Sequence, residues 1–415
     1  MNSAPTCMDE SDPKSLTVEQ ALERVLAETG PVSGTETLQI TDALDRVLAQ
    51  PVAARIDVPP ARNAAMDGYA LRTADGQAGN RLRLVGVSAA GHPWNGPVGP
   101  GECIRILTGA VVPEDAETVV MQEHASVVDG GEVVLERDAA HGAHIRGRAE
   151  DTRAGTVILD AGRRLTAADI GLLASQGIGE VSAVRRPRVA FFTTGDELVP
   201  IGQPLGPGQI HDSNRYTLAA LLKRYPVEFI DLGVIADTEE AVRSALTQAG
   251  AKADLILTTG GVSVGDADFV SRLLQQEGQV GFWKVAMKPG RPLAFGRFGN
   301  ALFLGLPGNP VSAMATFSLF VRPALLRLSG TAADPPWTLR ARVLEDLRKN
   351  PGRTDFQRGI LEQRDGGWVV RSTGGQGSHQ LRSMSLANAY IRLPAESSGA
   401  KAGEEVEVIP FQSVF

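Results

Sequence analysis

The chain has 415 residues, with 41 Lys plus Arg against 48 Asp plus Glu and a formal net charge of −7, so roughly three domains fit its length and a lone small module is excluded. The negative balance and the absence of a long Lys/Arg run exclude a sequence-blind nucleic-acid binder, and 43% hydrophobic with 21% charged residues excludes a disordered chain. Glycine is the unusual component, with 46 residues beside 5% aromatics and no collagen-like period, which points to many positions where the backbone does something special.

The N-terminal stretch MNSAPTCMDESDPKS is acidic and polar where a signal peptide is basic and then apolar, and no stretch approaches about 18 apolar residues, so neither export nor a membrane span is expected. The first dozen or so residues are expected to be loose. From Leu16 the pattern LTVEQALERVLAETG is helical: Thr17 is a candidate N-cap, Val18, Leu22, Val25 and Leu26 share a face, and Gly30 ends it. TDALDRVLAQP is expected to repeat the scheme. Residues 55–147 read as an inserted β-rich domain, with RLRLVGV, CIRILTGA, TVVMQEHASVV and EVVLE set between Gly, Pro and Asp clusters. LTAADIGLLASQG, with Thr166 as a cap, returns to the helical style, so 15–54 and 148–184 together predict a discontinuous helical linking domain. Residues 185–330 alternate apolar runs with helical segments, which implies βαβ units and a mostly parallel sheet covered on both faces, with RPLAFGRF and NALFLGL as an antiparallel pair. Residues 331–415 read as a small β barrel or sandwich.

In an open parallel α/β sheet, ligands bind beyond the carboxyl ends of the strands. Five successive strand ends here carry polar or glycine-rich turns: TTGDEL, ADTEE, TTGGVSVGDAD, KPGRP and LPGNP. Lys284, Lys288 and Arg291 suit a phosphate or another oxyanion, Glu197, Asp237, Asp266 and Asp268 are hard oxygen donors of the kind Mg²⁺ uses beside phosphates, and Gly260, Gly261 and Gly265 let backbone approach a ligand. Each charge taken singly is as readily a solvated loop residue; the convergence of five loops favours a phosphate-bearing ligand with a divalent metal. Common alternatives are missing: no GxxxxGK[ST], no GxGxxG after a strand, no HExxH and no GxSxG. His141 and His144 read as solvated loop residues, and Cys103 as a core residue rather than a nucleophile. With only Cys7 beside it there is no disulfide framework, which favours a reduced, cytoplasmic protein. By composition alone, Asp67, Thr108 and the IRGRAED run read as turn and surface ion-pair residues.

The motifs AAMDGYAL, RILTGAVVPEDAETVVMQE, IRGRAEDTRAG, TTGDEL, GQIHDSN, TTGGVSVGDAD, FWKVAMKPGRPLAFG, LPGNPVSA, PGRTDFQRG and QGSH follow one another across roughly residues 15–412. Together they resemble the MoeA family of molybdopterin molybdenumtransferases, relatives of the gephyrin E domain. The resemblance implies an elongated four-domain homodimer with a MogA-like three-layer α/β domain at 185–330, the inserted β domain at 55–147, and a C-terminal β barrel at 331–415. It also implies the final step of molybdenum cofactor synthesis, in which adenylated molybdopterin, molybdate and Mg²⁺ are used and AMP is released. Carried over by position, Glu197, Asp237, Asp266 and Asp268 form the acidic metal and catalytic cluster, and Lys284, Lys288 and Arg291 the basic group. Asp67, Thr108, Arg146, Glu150 and Asp151 belong to the set that faces a second subunit. Gly195, Ser213, Gly260, Gly261, Ser263, Gly265, Pro307, Gly308, Asn309 and Pro310 are the implied cofactor-binding positions, with Arg353 and Ser378 as oxyanion contacts. A MogA-type adenylyltransferase and apo-molybdoenzymes or their chaperones are the implied partners, and neither nucleic acid nor membrane is expected. Ala149 stands where the family motif has glycine, and Arg291 where lysine is frequent. A non-catalytic molybdopterin-binding scaffold and a CinA-like nucleotide hydrolase are the rival readings.

Overall fold

The computed structural model describes residues 15–260 and 269–415. The first residues expected to be loose lie outside that range, apart from Ser15. The chain divides into two compact units.

One unit comprises Thr37–Leu44 and Gln50–Val181. Its centre is a six-stranded sheet of β1 (Gly68–Leu71), β2 (Arg81–Ser88), β3 (Glu102–Ile106), β4 (Thr118–Met121), β5 (Ala125–Val128) and β6 (Glu132–Leu135), in the order β4-β1-β3-β2-β6-β5. Every pair is antiparallel except β2–β3. Strand alternation divides the apolar residues between two cores. Ala70, Ile104, Ile106 and Val119 fill one, and Tyr69, Leu71, Cys103 and Val120 the other. Helix Ala167–Ser175 begins with the anticipated Thr166 cap, whose hydroxyl accepts from the Asp169 N–H while the Asp169 carboxylate accepts from the Thr166 N–H.

The second unit comprises Asp45–Ala49 and Ser182–Phe415, together with the segment up to Glu36. Helix Val18–Ala27 starts at the Thr17–Gln20 capping box, as the sequence pattern predicts. The second helix expected in TDALDRVLAQP does not form. Ile40–Asp42 make one 3₁₀ turn, Asp45 is left-handed at φ 63°, and Leu48 bridges to Ala183 while the Val47 carbonyl accepts from the Val184 N–H at 2.8 Å. The apolar residues that mimic a helix face, Val47 and Leu48, are buried through this extended pairing, so tertiary context overrides a short helical period.

The central sheet of this unit holds β7 (Arg188–Thr194), β8 (Glu228–Ile235), β9 (Leu255–Thr259), β10 (Gln279–Lys284), β11 (Pro292–Phe298) and β12 (Ala301–Leu306), ordered β8-β7-β9-β12-β11-β10. β7, β8, β9 and β12 are parallel; β11 runs antiparallel to both β12 and β10. Odd and even residues of each strand feed different layers. Phe191, Leu257 and Leu304 pack towards helices Val18–Ala27, Ser213–Leu222 and Pro310–Leu328, whereas Phe192, Ile256 and Phe303 pack towards Glu239–Lys252 and Phe269–Glu277. Pro310–Leu328 is long and apolar enough to cross a membrane, but it is mostly buried as a core helix. It widens to a π turn at Phe317–Val321, next to Pro323, which lacks an N–H to donate. The C-terminal strands β13 (Leu339–Val343), β14 (Thr354–Arg364), β15 (Gly367–Ser372), β16 (Ala389–Leu393) and β17 (Glu405–Pro410) close into a five-stranded barrel, β14 pairing with both β15 and β16.

One ion pair ties the start of the sheet together. Asp254, just before β9, accepts both arms of the Arg185 guanidinium at 2.7 and 2.8 Å and the Arg188 N–H at 2.7 Å. Burial pushes the Asp254 carboxyl up, but the Arg185 and Arg188 bonds and charges outweigh it and hold the group below the usual carboxylate range. A depressed folded pKa contributes stability above the unfolded value of about 3.9, and that stability is lost as pH falls through the folded pKa. Asp254→Asn is therefore predicted to lower stability at pH 7 by about 1–2 kcal/mol, allowing for partial exposure. Urea denaturation should show the gap to wild type shrinking as the pH falls through the depressed pKa of the wild-type carboxyl.

Candidate active site

Strand direction decides which loops meet. β7, β8, β9 and β12 end on one edge of the sheet, and because β11 is antiparallel to both neighbours, β10 also ends there, with Lys284 opposite Pro292. The turns after β7, β8, β10 and β12, and Gly260 at the start of the turn after β9, thus lie along a single edge. Gly195 (φ 149°) follows β7, and the Glu197 carboxylate folds back over it so closely that a Cβ at Gly195 would sit 2.6 Å from a carboxylate oxygen. Gly260 (φ 85°) follows β9, and a Cβ there would lie 2.9 Å from the Thr194 carbonyl oxygen. Its N–H reaches the Leu306 carbonyl at 3.3 Å, and a Cβ on Gly308 would be 4.0 Å from its backbone. The ends of β7, β9 and β12 therefore approach one another, and at Gly260 the backbone has room only for glycine.

Asp237, half-buried, follows β8, the neighbour of β7 in the sheet. Ser213 opens helix Ser213–Leu222, whose N-cap is Asp212. The Asp212 carboxylate accepts from the Arg215 N–H at 3.0 Å and from the buried Thr193 hydroxyl at 2.7 Å. Asn214 donates its amide to the Gly308 carbonyl at 2.6 Å, fixing the 307–310 turn against this helix. Pro307 is buried, Asn309 is the N-cap of the helix begun by Pro310, and Gly308 is exposed. The roles of Thr193, Asp212 and Asn214 were not read from the sequence. The signal was present in HDSN, an Asp immediately before a helical segment.

The basic group divides. Lys284 ends β10, and the KPGRP turn closes through a 2.7 Å bond from the Val285 N–H to the Arg291 carbonyl. Met287–Lys288 leaves this sheet to pair with β14, setting Lys288 opposite Asp355. Lys288 and Arg353 meet there in a hollow of about 220 Å³, lined also by Arg348, Lys349, Asn350 and Asp355. Lys349 donates to the carbonyls of Pro394, Ala395 and Ser397 at 2.8, 3.2 and 2.8 Å, and burial pulls its ammonium below the usual lysine range. Arg348, Lys349 and Asn350 belong to no motif; only the basic run LRKNPGR marked them. Ser378 does not line this hollow. Its carbonyl accepts from the Val311 N–H at 3.1 Å, at the start of helix Pro310–Leu328.

In the other unit, Asp67 Oδ1 accepts both the N–H and the hydroxyl of Thr108, each at 2.7 Å, and these bonds hold the carboxyl below its ordinary range. Asn63 donates to the Gly109 carbonyl at 2.6 Å and pairs in register with Arg146, so Arg146 stands beside the Asp67–Thr108 turn. Glu150 accepts from the Gly147 N–H at 2.7 Å, Arg148 pairs with Asp57 at 2.6 Å, and Asp151 accepts from the Thr152 hydroxyl at 3.1 Å. Gly261, Ser263, Gly265, Asp266 and Asp268 lie outside the described residues. Among the described residues no three His, Cys, Asp or Glu side chains cluster as a metal site. His141 shares a 3.1 Å bond with Thr73, and burial pushes the Cys103 thiol up to about 12, in keeping with their bland readings.

Three family models match the chain: "MoeA N-terminal region (domain I and II)" over residues 16–177, "Probable molybdopterin binding domain" over 190–327 and "MoeA C-terminal region (domain IV)" over 340–411. The molybdopterin molybdenumtransferase of Haemophilus influenzae is 41% identical over 398 residues, covering 95% of this chain and 98% of the relative. The chain belongs to the MoeA family of molybdopterin molybdenumtransferases. A second member, from Nostoc sp., is 38% identical over 90% of this chain and 88% of its own. The molybdopterin biosynthesis MoeA protein of Pyrococcus horikoshii superposes with a TM-score of 0.83 at 30% identity, covering 96% of this chain and 100% of that one.

The Ala149 departure from the MoeA motif now has a geometry. The turn keeps its left-handed residue, with Ala149 at φ 57°, because the Ala149 N–H bonds the Pro59 carbonyl and the Asp151 and Thr152 N–H groups bond that of Val58, at 3.0, 3.0 and 3.1 Å. The surrounding bonds impose the conformation at the expense of strain in an L-residue. Ala149→Gly is predicted to raise stability by about 0.5–1 kcal/mol, net of the greater entropy of unfolded glycine, and thermal denaturation measures it.

Proposed function

We propose that this MoeA protein inserts molybdenum from molybdate into adenylated molybdopterin, releasing AMP. One observation carries the reading: acidic and basic side chains, Glu197 and Asp237 with Lys284 and Arg291, stand at strand ends on one sheet edge threaded by closely packed glycine backbone. Molybdate is a dianion and the adenylate carries a phosphoanhydride, so like charges must be brought together. Lys284, Lys288, Arg291 and Arg353 offset that repulsion, and Arg291 presents a planar fork where lysine presents a point charge. Anhydride cleavage of this kind relies on positioning and charge stabilisation rather than on a covalent nucleophile, which suits an edge that carries Glu197, Asp237, Lys284 and Arg291.

Mg²⁺ fits this edge. Magnesium typically takes one or two carboxylates plus phosphate oxygens and water, and Glu197 and Asp237 supply two carboxylates at neighbouring strand ends. When bound there it would withdraw charge from the phosphoanhydride. The Glu197 carboxylate, exposed at the end of β7, folds back over Gly195. The 307–310 turn, fixed by Asn214, orients backbone towards the same edge.

The reading includes a cytoplasmic homodimer, in line with the scarce cysteines, that receives its substrate from a MogA-type adenylyltransferase and serves apo-molybdoenzymes or their chaperones. Purified protein with Mg²⁺, adenylated molybdopterin and molybdate should release AMP in proportion to molybdate and activate an apo-molybdoenzyme; no AMP release under these conditions would sink the assignment. Glu197→Gln should lower the rate by about 10²-fold or more while leaving thermal stability near wild type. Unchanged activity in that variant would favour the scaffold reading, and AMP release that ignores molybdate would favour a nucleotide hydrolase. If two copies complete each site, co-refolding inactive Asp67→Asn and Lys288→Ala chains should recover activity up to about a quarter of wild type, the statistical yield of one intact site per mixed dimer.

A further inference from the structure

Arg358 heads the largest fully buried side chains, at 1% exposure, and among the described residues it makes no ion pair with a carboxylate. Its Nε donates to the Ser383 hydroxyl at 3.0 Å, and one terminal nitrogen donates to the carbonyls of Gly377 and Gly375 at 3.0 and 3.4 Å. These acceptors are neutral. Asp355, also buried, lies on the same strand but on the opposite face: Phe356 and Arg358 alternate with Asp355 and Gln357, and the Asp355 carboxylate instead accepts from Gln357 at 3.1 Å. Tyr390, paired with Arg358 across the β14–β16 ladder, is fully buried with its phenol pushed up, so it provides no counter-charge at neutral pH. The Asp355 charge still acts on Arg358 through space and partly offsets its burial, but a guanidinium withdrawn from water and bonded only to neutral dipoles is costly to keep.

The segment wrapped around this cation is one that carries an implied oxyanion contact. Gln376 accepts the Arg358 N–H at 2.8 Å and returns a bond to the Arg358 carbonyl at 3.1 Å, while Gln380 accepts the Gly377 N–H at 2.9 Å. Gly374–Ser378 is therefore laced to Arg358 by side chain and backbone, and the Ser378 carbonyl meets the N–H of Val311 in the first turn of helix Pro310–Leu328, whose partial positive charge adds to the same field.

We propose that Arg358 is a positioning residue for oxyanion recognition: it fixes the Gly374–Ser378 segment and places behind it a positive charge with no directly bonded counter-anion, so that the site prefers a tetrahedral dianion to a monoanion of similar size. The inference rests on the molybdate reading. Its physical core is that attraction to a buried charge scales with the charge of the ligand, whereas shape complementarity does not.

Tungstate and perrhenate are tetrahedral oxyanions of similar size carrying two charges and one. Calorimetric binding of each to the full chain measures the preference without requiring turnover. Wild type should bind tungstate at least about tenfold more tightly than perrhenate; in Arg358→Met the ratio should fall several-fold and the KM for molybdate rise about tenfold, with the KM for adenylated molybdopterin within about twofold of wild type. Arg358→Lys should retain the ratio while binding both ions more weakly, since the charge stays and the fork is lost. A folded Arg358→Met with unchanged ratio overturns the proposal, as does a uniform loss in both KM values and kcat. Should that variant fail to fold, Gln376→Leu takes its place: it unlaces the segment but leaves the charge, and must raise the molybdate KM at a constant tungstate-to-perrhenate ratio. An unchanged molybdate KM there overturns the proposal as well. Dianion preference without molybdate-dependent AMP release would refute the functional reading and leave the role of Arg358 standing.

Discussion

The chemistry of the α/β unit depends on one constraint, the direction of its strands. β7, β8, β9 and β12 are parallel, so their carboxyl ends and the turns that follow share an edge. The β10–β11–β12 excursion reverses direction twice, which brings β10 back into the same sense and delivers Lys284 and Arg291 to the edge that holds Glu197 and Asp237. Were β10 inserted with the opposite sense, its cation would emerge at the far end of the sheet, a full strand length from the acids. Acids and bases are thus gathered by topology.

That edge is kept open by small backbone and braced by buried polar contacts. Gly260 lets the end of β9 approach that of β7 to a distance that a Cβ would forbid. The Thr193–Asp212 bond and the Asn214–Gly308 bond couple β7, helix Ser213–Leu222 and the turn after β12. Glu197 and Lys284 remain exposed above this bracing. The barrel follows the same logic at its own cation cluster. Lys349 is tied to three carbonyls and Arg358 to two carbonyls and a hydroxyl, which orders the surrounding loops.

Much of this was legible in the sequence because it is local. Helix caps at Thr17 and Thr166, the alternation of βαβ segments, the antiparallel pair before the last core helix and the glycine-rich strand ends all follow from period, capping and turn chemistry. The segment around Val47 and Leu48 was misread for a physical reason. Two adjacent buried residues satisfy a helical face and an extended pairing equally well, and only contact with Ala183 and Val184 separates them. Lys349 was invisible as a functional candidate because a basic run reads as a solvated face until its bonds to carbonyls are known, and Arg358 because nothing local marks it as buried.

The sequence by itself determined the order of elements, the family and the residue types at each strand end, since these are encoded in spacing and composition. Tertiary structure alone decided which of those ends converge, that Lys288 departs from its neighbours to join Arg353 on the barrel, and that Arg358 is a buried charge. The reason is that burial and convergence come from register and strand direction between segments far apart in the chain, and no local pattern carries that information.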